Sequence, residues 1–220
     1  MDGKTPILRL VLVPALLTLV VSVVRLLGEL YAWSPFWFGV PEGGAPGVPI
    51  GISWLIFVFG FWFGLRLQRA GAGPQRPGRA ALICLVGALA AAGLVALFMK
   101  LGLMTMPDKD APKELAGIGY FLCAMGLGVV VAFVAWPRLA LTMLAYAVLA
   151  RLPVVGITWL AVHYDWQTHY AMIGEGMLPP PREQLFQFLA TPQVTFWPAV
   201  TVLFGTLCGS LAALVSTRRR

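Results

Sequence analysis

The sequence predicts an all-α integral membrane protein, a bundle of six transmembrane helices that forms one polytopic domain over residues 1–220. Composition is the first reason: 59% of the residues are hydrophobic, only 11% are charged, and the mean hydropathy is +0.83. Because a soluble domain usually carries about 25% charged residues, this chain cannot cover a water-facing surface. The second reason is the segmentation of the apolar residues, and the third is the placement of the basic residues between those segments.

Six apolar segments are separated by short polar or glycine- and proline-rich stretches. A helix needs about 20 residues to cross the hydrocarbon core, within a range of about 17 to 25. The second segment is short, but Pro49 can begin its helix and Arg66 can extend its charge toward the headgroups. Residues 136–138 leave only a tight turn between the fourth and fifth segments, so we expect these helices to be antiparallel neighbours. The segments comprise residues 7–31, 50–65, 80–99, 115–136, 139–162 and 194–215.

A further short helix is expected just before the sixth segment. Residues 185–190 follow the stiff run of prolines at 179–181 and come shortly before Pro192. Because a proline disfavours helix in the residue before it, we expect Pro192 to end this helix. The segment is too short to cross the bilayer, and we expect it to lie at the membrane interface.

The basic residues predict the orientation of the bundle. With the N-terminus in the cytoplasm, ten lysines and arginines fall on the inner side and four on the outer side. Short cytoplasmic loops carry an excess of basic residues, so this bias predicts that both termini are inside and that the protein spans the inner (plasma) membrane of a cell. The inner set is Lys4, Arg9, Arg66, Arg69, Arg76, Arg79, Arg138, Arg218, Arg219 and Arg220; the outer set is Lys100, Lys109, Lys113 and Arg182.

The net charge of +7 and the pI of about 9.8 do not indicate nucleic-acid binding. The basic residues lie in short segments between apolar runs, where an inner-membrane protein ordinarily places them. Membrane lipids are therefore the expected partners of this chain, and we expect no nucleic acid and no cofactor.

Arg151 is the charged residue in the costliest position. It follows twelve apolar residues after Arg138, which places it about 20 Å into a core about 30 Å thick. An arginine near mid-depth costs about 2.5–3.5 kcal/mol on insertion scales, so it must face the bundle interior or a water-filled cavity. Pro153 removes the hydrogen bond that the Leu149 carbonyl would accept, and Gly156 follows. We therefore expect the fifth helix to be kinked or broken here, as helices that line membrane binding sites often are.

Arg151 also has a purely structural interpretation. It would then pair with freed backbone carbonyls or an acid, or, if the span begins later, extend to the inner headgroups. The sequence supports the structural and functional interpretations about equally. No acid lies in the middle of any apolar segment to neutralise Arg151, which leaves room for a bound anion.

Arg25 and Glu29 lie four residues apart near the outer end of the first segment, where they can pair on one helix face. An ordinary interfacial ion pair is the simpler interpretation. The functional alternative joins Arg25 to Arg151 in an anion pocket, in which Glu29 tunes the charge.

Residues 163–170 form the densest polar and aromatic stretch and contain both histidines. If the fifth helix continues through them, Asp165 and His169 share a face, and a metal could use them with His163 or Glu175 as a third ligand. The spacing is not a specific metal signature, and an aromatic belt at headgroup level explains the same residues. The aromatic belt is favoured, and we expect no bound metal.

Two small-residue motifs permit close helix approach: Gly60 with Gly64 in the second segment, and Gly205 with Gly209 in the sixth. Packing inside one bundle is favoured over a dimer interface.

Three functions remain open. The favoured one is a small inner-membrane protein that binds, and could translocate, an anionic or amphiphilic small molecule or lipid in an outward-opening polar pocket at Arg151. The second is a non-catalytic accessory or structural subunit of a larger membrane complex or homo-oligomer. The third, and the only enzyme among them, is a membrane metalloenzyme using His163, Asp165 and His169. The expected ligand-binding residues are Arg151, Arg25, Glu29, His163, Asp165 and His169.

Overall fold

The computed structural model describes residues 6–38, 51–105, 108, 110, 116–174 and 176–217, and among these it contains helices and connecting turns but no strand. The helices are α1 (Ile7–Leu30), α2 (Pro35–Phe38), α3 (Leu55–Arg69), α4 (Pro77–Lys100), α5 (Ile118–Ala135), α6 (Pro137–His163), α7 (Arg182–Val194) and α8 (Phe196–Thr217). Several predictions concern residues outside the described ranges: Lys4, Pro49, Lys109, Lys113, Glu175 and residues 218–220.

Five helical stretches among the described residues are long and apolar enough to cross a membrane: α1, α4, α5, α6 and the stretch formed by α7 with α8. α3 has 15 residues and is shorter than these. Large apolar side chains point away from the bundle, such as Leu16, Val86 and Val134, which are 52%, 55% and 69% exposed. Contiguous apolar surface of this kind fits lipid and not water. The chain is an all-helical, multi-pass membrane protein.

Most predicted segments coincide with a helix. The first, third, fourth, fifth and sixth segments match α1, α4, α5, α6 and α8 to within three residues at either end. The second segment differs, since α3 begins at Leu55 after a turn and continues past Arg66 to Arg69. Trp136 alone separates α5 from α6, and its indole N–H donates to the Ala72 carbonyl at 3.0 Å. This bond ties the turn between α5 and α6 to the connection between α3 and α4.

The predicted break in the fifth helix is wrong. α6 runs without interruption from Pro137 to His163, with Pro153 inside it. A proline in a helix interior removes one backbone hydrogen bond, but packing on the same helix can outweigh that loss. Here Val154 and Ile157 are buried in an apolar cluster with Leu26 of α1. Tertiary contacts therefore hold α6 together where local preference favours a break.

The helix before the sixth segment exists but is longer than predicted. α7 begins at Arg182, directly after Pro181, and ends at Val194, so Pro192 lies inside it and does not stop it. The Thr191 hydroxyl donates to the Gln187 carbonyl at 2.7 Å, and the Thr195 hydroxyl donates to the Thr191 carbonyl at 2.7 Å. Each hydroxyl thus bonds the carbonyl four residues before it, and the Thr191 carbonyl also accepts the backbone N–H of Thr195 at 3.1 Å.

α6 and α8 lie at the centre of the bundle. α6 packs against α1, α3, α5, α7 and α8, and α8 packs against α3, α4, α5, α6 and α7. The two glycine motifs meet at the α3–α8 contact, where a Cβ atom on Gly60 would lie 2.6 Å from the Gly205 carbonyl oxygen and Gly64 lies against Gly209. The prediction that these motifs pack inside one bundle is confirmed.

Candidate functional site

Arg151 lies inside the bundle, in the middle of α6. Its residue exposure is 6%, so its guanidinium does not face lipid. Nη1 donates to Oε1 of Gln193, at the end of α7, at 3.0 Å. The guanidinium carbon lies 4.5 Å from the ring centroid of Trp197, at the start of α8. Arg151 is thus held by a neutral amide and an aromatic ring, and it points into the bundle, toward the start of α8.

Glu29 is the centre of a second polar cluster, where α1 and α6 end. Its side chain is fully buried, and its Oε1 accepts a hydrogen bond from Nε of Arg25 at 2.9 Å. His169 comes from the connection after α6, and its backbone N–H donates to Oε2 of Glu29 at 2.9 Å. Its ring Nδ1 lies 2.6 Å from Oε1 of Glu29. The predicted Arg25–Glu29 pair therefore exists, and it also anchors a segment 140 residues further along the chain.

The imidazole of His169 is set in one orientation by Glu29. Burial holds the pKa of His169 below its usual value, although the hydrogen bond that its ring makes to Glu29 opposes this effect. In the neutral ring, Nδ1–H donates to the carboxylate and Nε2 is left as an acceptor. Nε2 has no hydrogen-bond partner among the residues that the structure describes.

Tyr170, from the same segment as His169, also belongs to the cluster around Glu29. Its hydroxyl donates to the Ser22 carbonyl of α1 at 3.2 Å. Burial raises the pKa of the Tyr170 phenol to about 12, so the group stays protonated and remains a donor. Its ring centroid lies 3.8 Å from that of His169, which helps to fix the imidazole.

A cavity of about 550 Å³ connects the two clusters. Arg25, Arg151 and His169 all form part of its wall, together with Gln193 and Trp197, whereas Glu29 lies behind the wall. α5 and α7 contribute only uncharged residues: Ile118, Phe121, Leu122, Phe188, Leu189, Thr191, Pro192 and Gln193. The structure thus brings together three of the six predicted ligand-binding residues in one cavity, with a fourth supporting them.

His163 and Asp165 lie elsewhere. The His163 ring stacks on Trp159, with centroids 5.2 Å apart and an interplanar angle of 8°. Asp165 pairs with Arg182, at 2.7 Å from its Oδ2 to Nη2, and both side chains are mostly exposed. Of the three ligand-binding residues expected in the 163–170 stretch, the cavity wall therefore includes only His169.

The structure also fails to gather the predicted metal ligands. α6 ends at His163 and Asp165 adopts a positive φ of 52°, so Asp165 and His169 do not share a helix face. Among the described residues, no group of three or more histidine, cysteine, aspartate or glutamate side chains is arranged to hold a metal ion. Glu175, the other suggested ligand, lies outside those residues.

Two residues of the site were missed from the sequence, Gln193 and Trp197. Both follow Pro192, where we expected the interfacial helix to have ended. A polar amide between Pro192 and a long apolar segment is a signal that could have identified Gln193. Trp197 gave no such signal, since tryptophan at the start of a span is ordinarily explained by the membrane interface.

The fold and the cavity together define the class: a multi-pass, all-helical membrane protein with an arginine-bearing cavity between its helices. Comparisons of the chain with protein-family models, with curated proteins and with solved structures found no match. The class of ligand therefore has to be inferred from the side chains that line the cavity.

Proposed function

We propose that the protein binds an anionic amphiphile or lipid in the cavity at Arg151. The observation that carries this proposal is a buried arginine on the wall of a cavity, with only a neutral amide and an aromatic ring as described partners. A charge of this kind is costly at membrane depth, by about 2.5–3.5 kcal/mol. A ligand with a negative charge would offset that cost.

The charge balance of the cavity favours an anion. Glu29 is engaged by Arg25 and His169 and lies outside the wall, so it offsets the charge of Arg25. The charge of Arg151 is then not balanced by any described acid at the wall. An arginine fork suits a phosphate or carboxylate group because it can donate two parallel hydrogen bonds.

The remaining wall favours an amphiphile over a small hydrophilic anion. Binding sites for small molecules are usually about 300–1,000 Å³ in volume, and this cavity falls in that range. Much of its wall is apolar, including Phe121 and Leu122 of α5 and Phe188 and Leu189 of α7. An alkyl chain would gain about 0.8 kcal/mol for each methylene group buried against such a surface, relative to water.

A lipid would reach the cavity from the bilayer between α5 and α7. α5 and α7 both line it, but no described residues of these two helices approach within 8 Å at their Cα atoms. A lipid could therefore place its headgroup at Arg151 while its chains remain between α5 and α7. This lateral entry is proposed in addition to the outward opening that the sequence led us to expect.

For the membrane topology, we propose six spans with both termini in the cytoplasm of a cell bounded by an inner membrane. α3 would be the sixth span, since it is about 22 Å long and packs along α8 through its glycines. The described basic residues of the inner set, among them Arg66, Arg69 and Arg138, then lie at the inner end, and the cavity lies in the outer half of the bilayer.

Binding is the proposed activity, and translocation is its extension. A transporter must expose its site alternately to the two sides of the membrane. Loading of a fluorescent lipid into one leaflet of reconstituted vesicles tests this extension. Faster equilibration between leaflets than in protein-free vesicles would support movement, and an unchanged rate would limit the function to binding.

The test of binding uses purified protein in nanodiscs of zwitterionic phosphatidylcholine, titrated with fluorescent phosphatidylglycerol. Loss of a charge-assisted hydrogen bond costs about 1.5–3 kcal/mol, so Arg151→Gln should weaken binding by about tenfold or more. Arg79→Gln, the same change on an exposed arginine of α4, is the matched control and should leave binding unchanged.

Two further probes separate charge from hydrophobicity. Phosphatidylcholine with the same fluorescent chain should compete poorly, because its headgroup has no net charge. Glycerol 3-phosphate, an anion without chains, should also compete poorly. Equal binding of both phospholipids by wild type and Arg151→Gln would refute the proposal.

A second function, that of an accessory subunit, is favoured by the internal pairing of the polar groups. Glu29 accepts hydrogen bonds from Arg25 and His169, and Arg151 is bonded to Gln193, so both clusters can act as ties without a ligand. Stoichiometric co-purification of another membrane protein, with no anion-dependent binding, would favour this function.

A further inference from the structure

The Glu29–His169 pair holds α1 to the segment after α6, and it also orients an imidazole ring on the cavity wall. Glu29 is completely buried and receives hydrogen bonds from Arg25, from the backbone of His169 and from its ring. The side chain of His169 is 29% exposed and forms part of the cavity wall. A carboxylate that orients an imidazole by Nδ1 leaves Nε2 as a proton acceptor of fixed direction.

We propose that His169 takes up a proton when an anion enters the cavity, so that anion binding and proton binding are coupled. This inference rests on the proposed function of the cavity. The ligand class that it implies is a singly charged anionic amphiphile, bound as a neutral combination of anion and proton.

The charges around His169 determine the sign of the coupling. From α1 it faces Arg25 and Glu29; from its own segment it faces Tyr170; and from α6, Arg151 shares the same cavity. α5 and α7 contribute uncharged residues to the wall. Arg25 disfavours a second positive charge on the ring, and an anion between the arginines would cancel this effect.

The consequence is a pH-dependent affinity. Without ligand, the pKa of His169 lies below its usual value, chiefly because of burial. An anion favours the protonated ring and raises that pKa, so affinity should rise as the pH falls through the interval between the two values. A single charge pair about 7 Å apart at an effective dielectric constant of 20–40 is worth roughly tenfold in affinity.

The chain provides a matched control. His163 is the other histidine, and its ring stacks on Trp159 and does not contribute to the cavity wall. Fluorescent phosphatidylglycerol is a suitable probe because its phosphodiester keeps one negative charge throughout the titration. Binding is measured in phosphatidylcholine nanodiscs at about pH 8 and about pH 5.5, on either side of the ordinary imidazole pKa.

Wild type and His163→Gln should bind about tenfold more tightly at the lower pH. His169→Gln should bind with the same affinity at both values. The same increase in His169→Gln as in wild type would overturn the coupling while leaving the proposed function intact. If wild type does not bind the probe more tightly than Arg151→Gln at either pH, the proposed function fails and the coupling fails with it.

A second measurement does not depend on the stability of the variants. Wild-type protein in weakly buffered solution near pH 6.5, the ordinary imidazole pKa, is mixed with phosphatidylglycerol in the presence of a pH indicator. Uptake of a substantial fraction of one proton per bound lipid supports the proposal. Binding without proton uptake at this pH and one unit on either side overturns it.

Discussion

Replacement of Gly60 by alanine should destabilise the bundle by forcing α3 away from α8. A Cβ atom at this position would lie 2.6 Å from the carbonyl oxygen and 2.7 Å from the Cα of Gly205. Ordinary contacts between carbon atoms are about 3.5–4.0 Å, so the two backbones would have to separate by about 1 Å. The obstacle is backbone on both sides, and no side-chain rotation can relieve it.

The expected magnitude is the difference between two opposing effects. Insertion of extra atoms into a packed interior costs about 1–3 kcal/mol, and the upper part of that range applies where the neighbour is backbone. About 1 kcal/mol of this cost is recovered because alanine favours the helix more than glycine does. We therefore expect Gly60→Ala to lower the free energy of unfolding by about 1–2 kcal/mol.

Gly126→Ala is the matched control in α5. A Cβ atom at Gly126 meets nothing within 4 Å, so this variant should be as stable as wild type or slightly more stable. The assay is reversible unfolding in mixed micelles with a rising fraction of dodecyl sulfate, followed by the fluorescence of the eight tryptophans. If the two variants unfold at the same dodecyl sulfate fraction, the close contact between α3 and α8 does not stabilise the fold.

Three other predictions concern charge, topology and metal. Arg151→Leu should change the free energy of unfolding by less than about 1 kcal/mol, because the lost bond to Gln193 is offset by removal of a buried charge. The same variant should no longer retain phosphatidylglycerol. Severe destabilisation would instead show that Arg151 is a structural tie. Reporter fusions after Arg76 and after Arg220 should both report a cytoplasmic location, and a periplasmic signal from either would rule out the proposed topology. Elemental analysis should find no stoichiometric zinc, iron or copper, whereas about one equivalent that disappears in His169→Ala would make an enzyme the first choice.

Much of the helical architecture could be predicted from the sequence because hydrophobic length is a strong signal. A run of apolar residues long enough for the bilayer can satisfy its backbone only as a helix, so existence and approximate bounds follow directly. α3 was one exception. Its helix begins after the turn before Leu55 and includes Arg66 and Arg69, and hydropathy alone cannot locate such a turn.

The continuity of α6 could not be predicted because proline acts locally whereas packing acts across the bundle. The penalty of Pro153 is visible in the sequence. The burial of Val154 and Ile157 against Leu26 depends on which helices become neighbours, and no local pattern contains that information. The same limitation applies to Pro192, which lies within α7.

The charged residues of the candidate site could be predicted from the sequence, but the residues that they contact could not. Arg151 and Arg25 were conspicuous because charges at membrane depth are rare, and both line the cavity. The partner of Arg151 lies 42 residues away, and His169 lies 140 residues from Glu29. Contacts of such long range depend on the folded arrangement of the helices. The sequence could therefore suggest His169 as a site residue, but it could not show that His169 lies in the cavity wall and His163 does not. That these residues bind a ligand remains a prediction.

The glycine contact between α3 and α8 also determines which parts of the protein can move. The α3 and α8 backbones touch at Gly60 and again one turn later at Gly64, so we expect these two helices to move together. α7 is joined to α8 through Thr195 alone and carries Gln193 with it. α1, by contrast, packs mainly along α6. We therefore expect a change in access to the cavity to move α1, together with the segment that Glu29 anchors, relative to α3 and α8. The distance between Arg25 and Trp197 would report that movement.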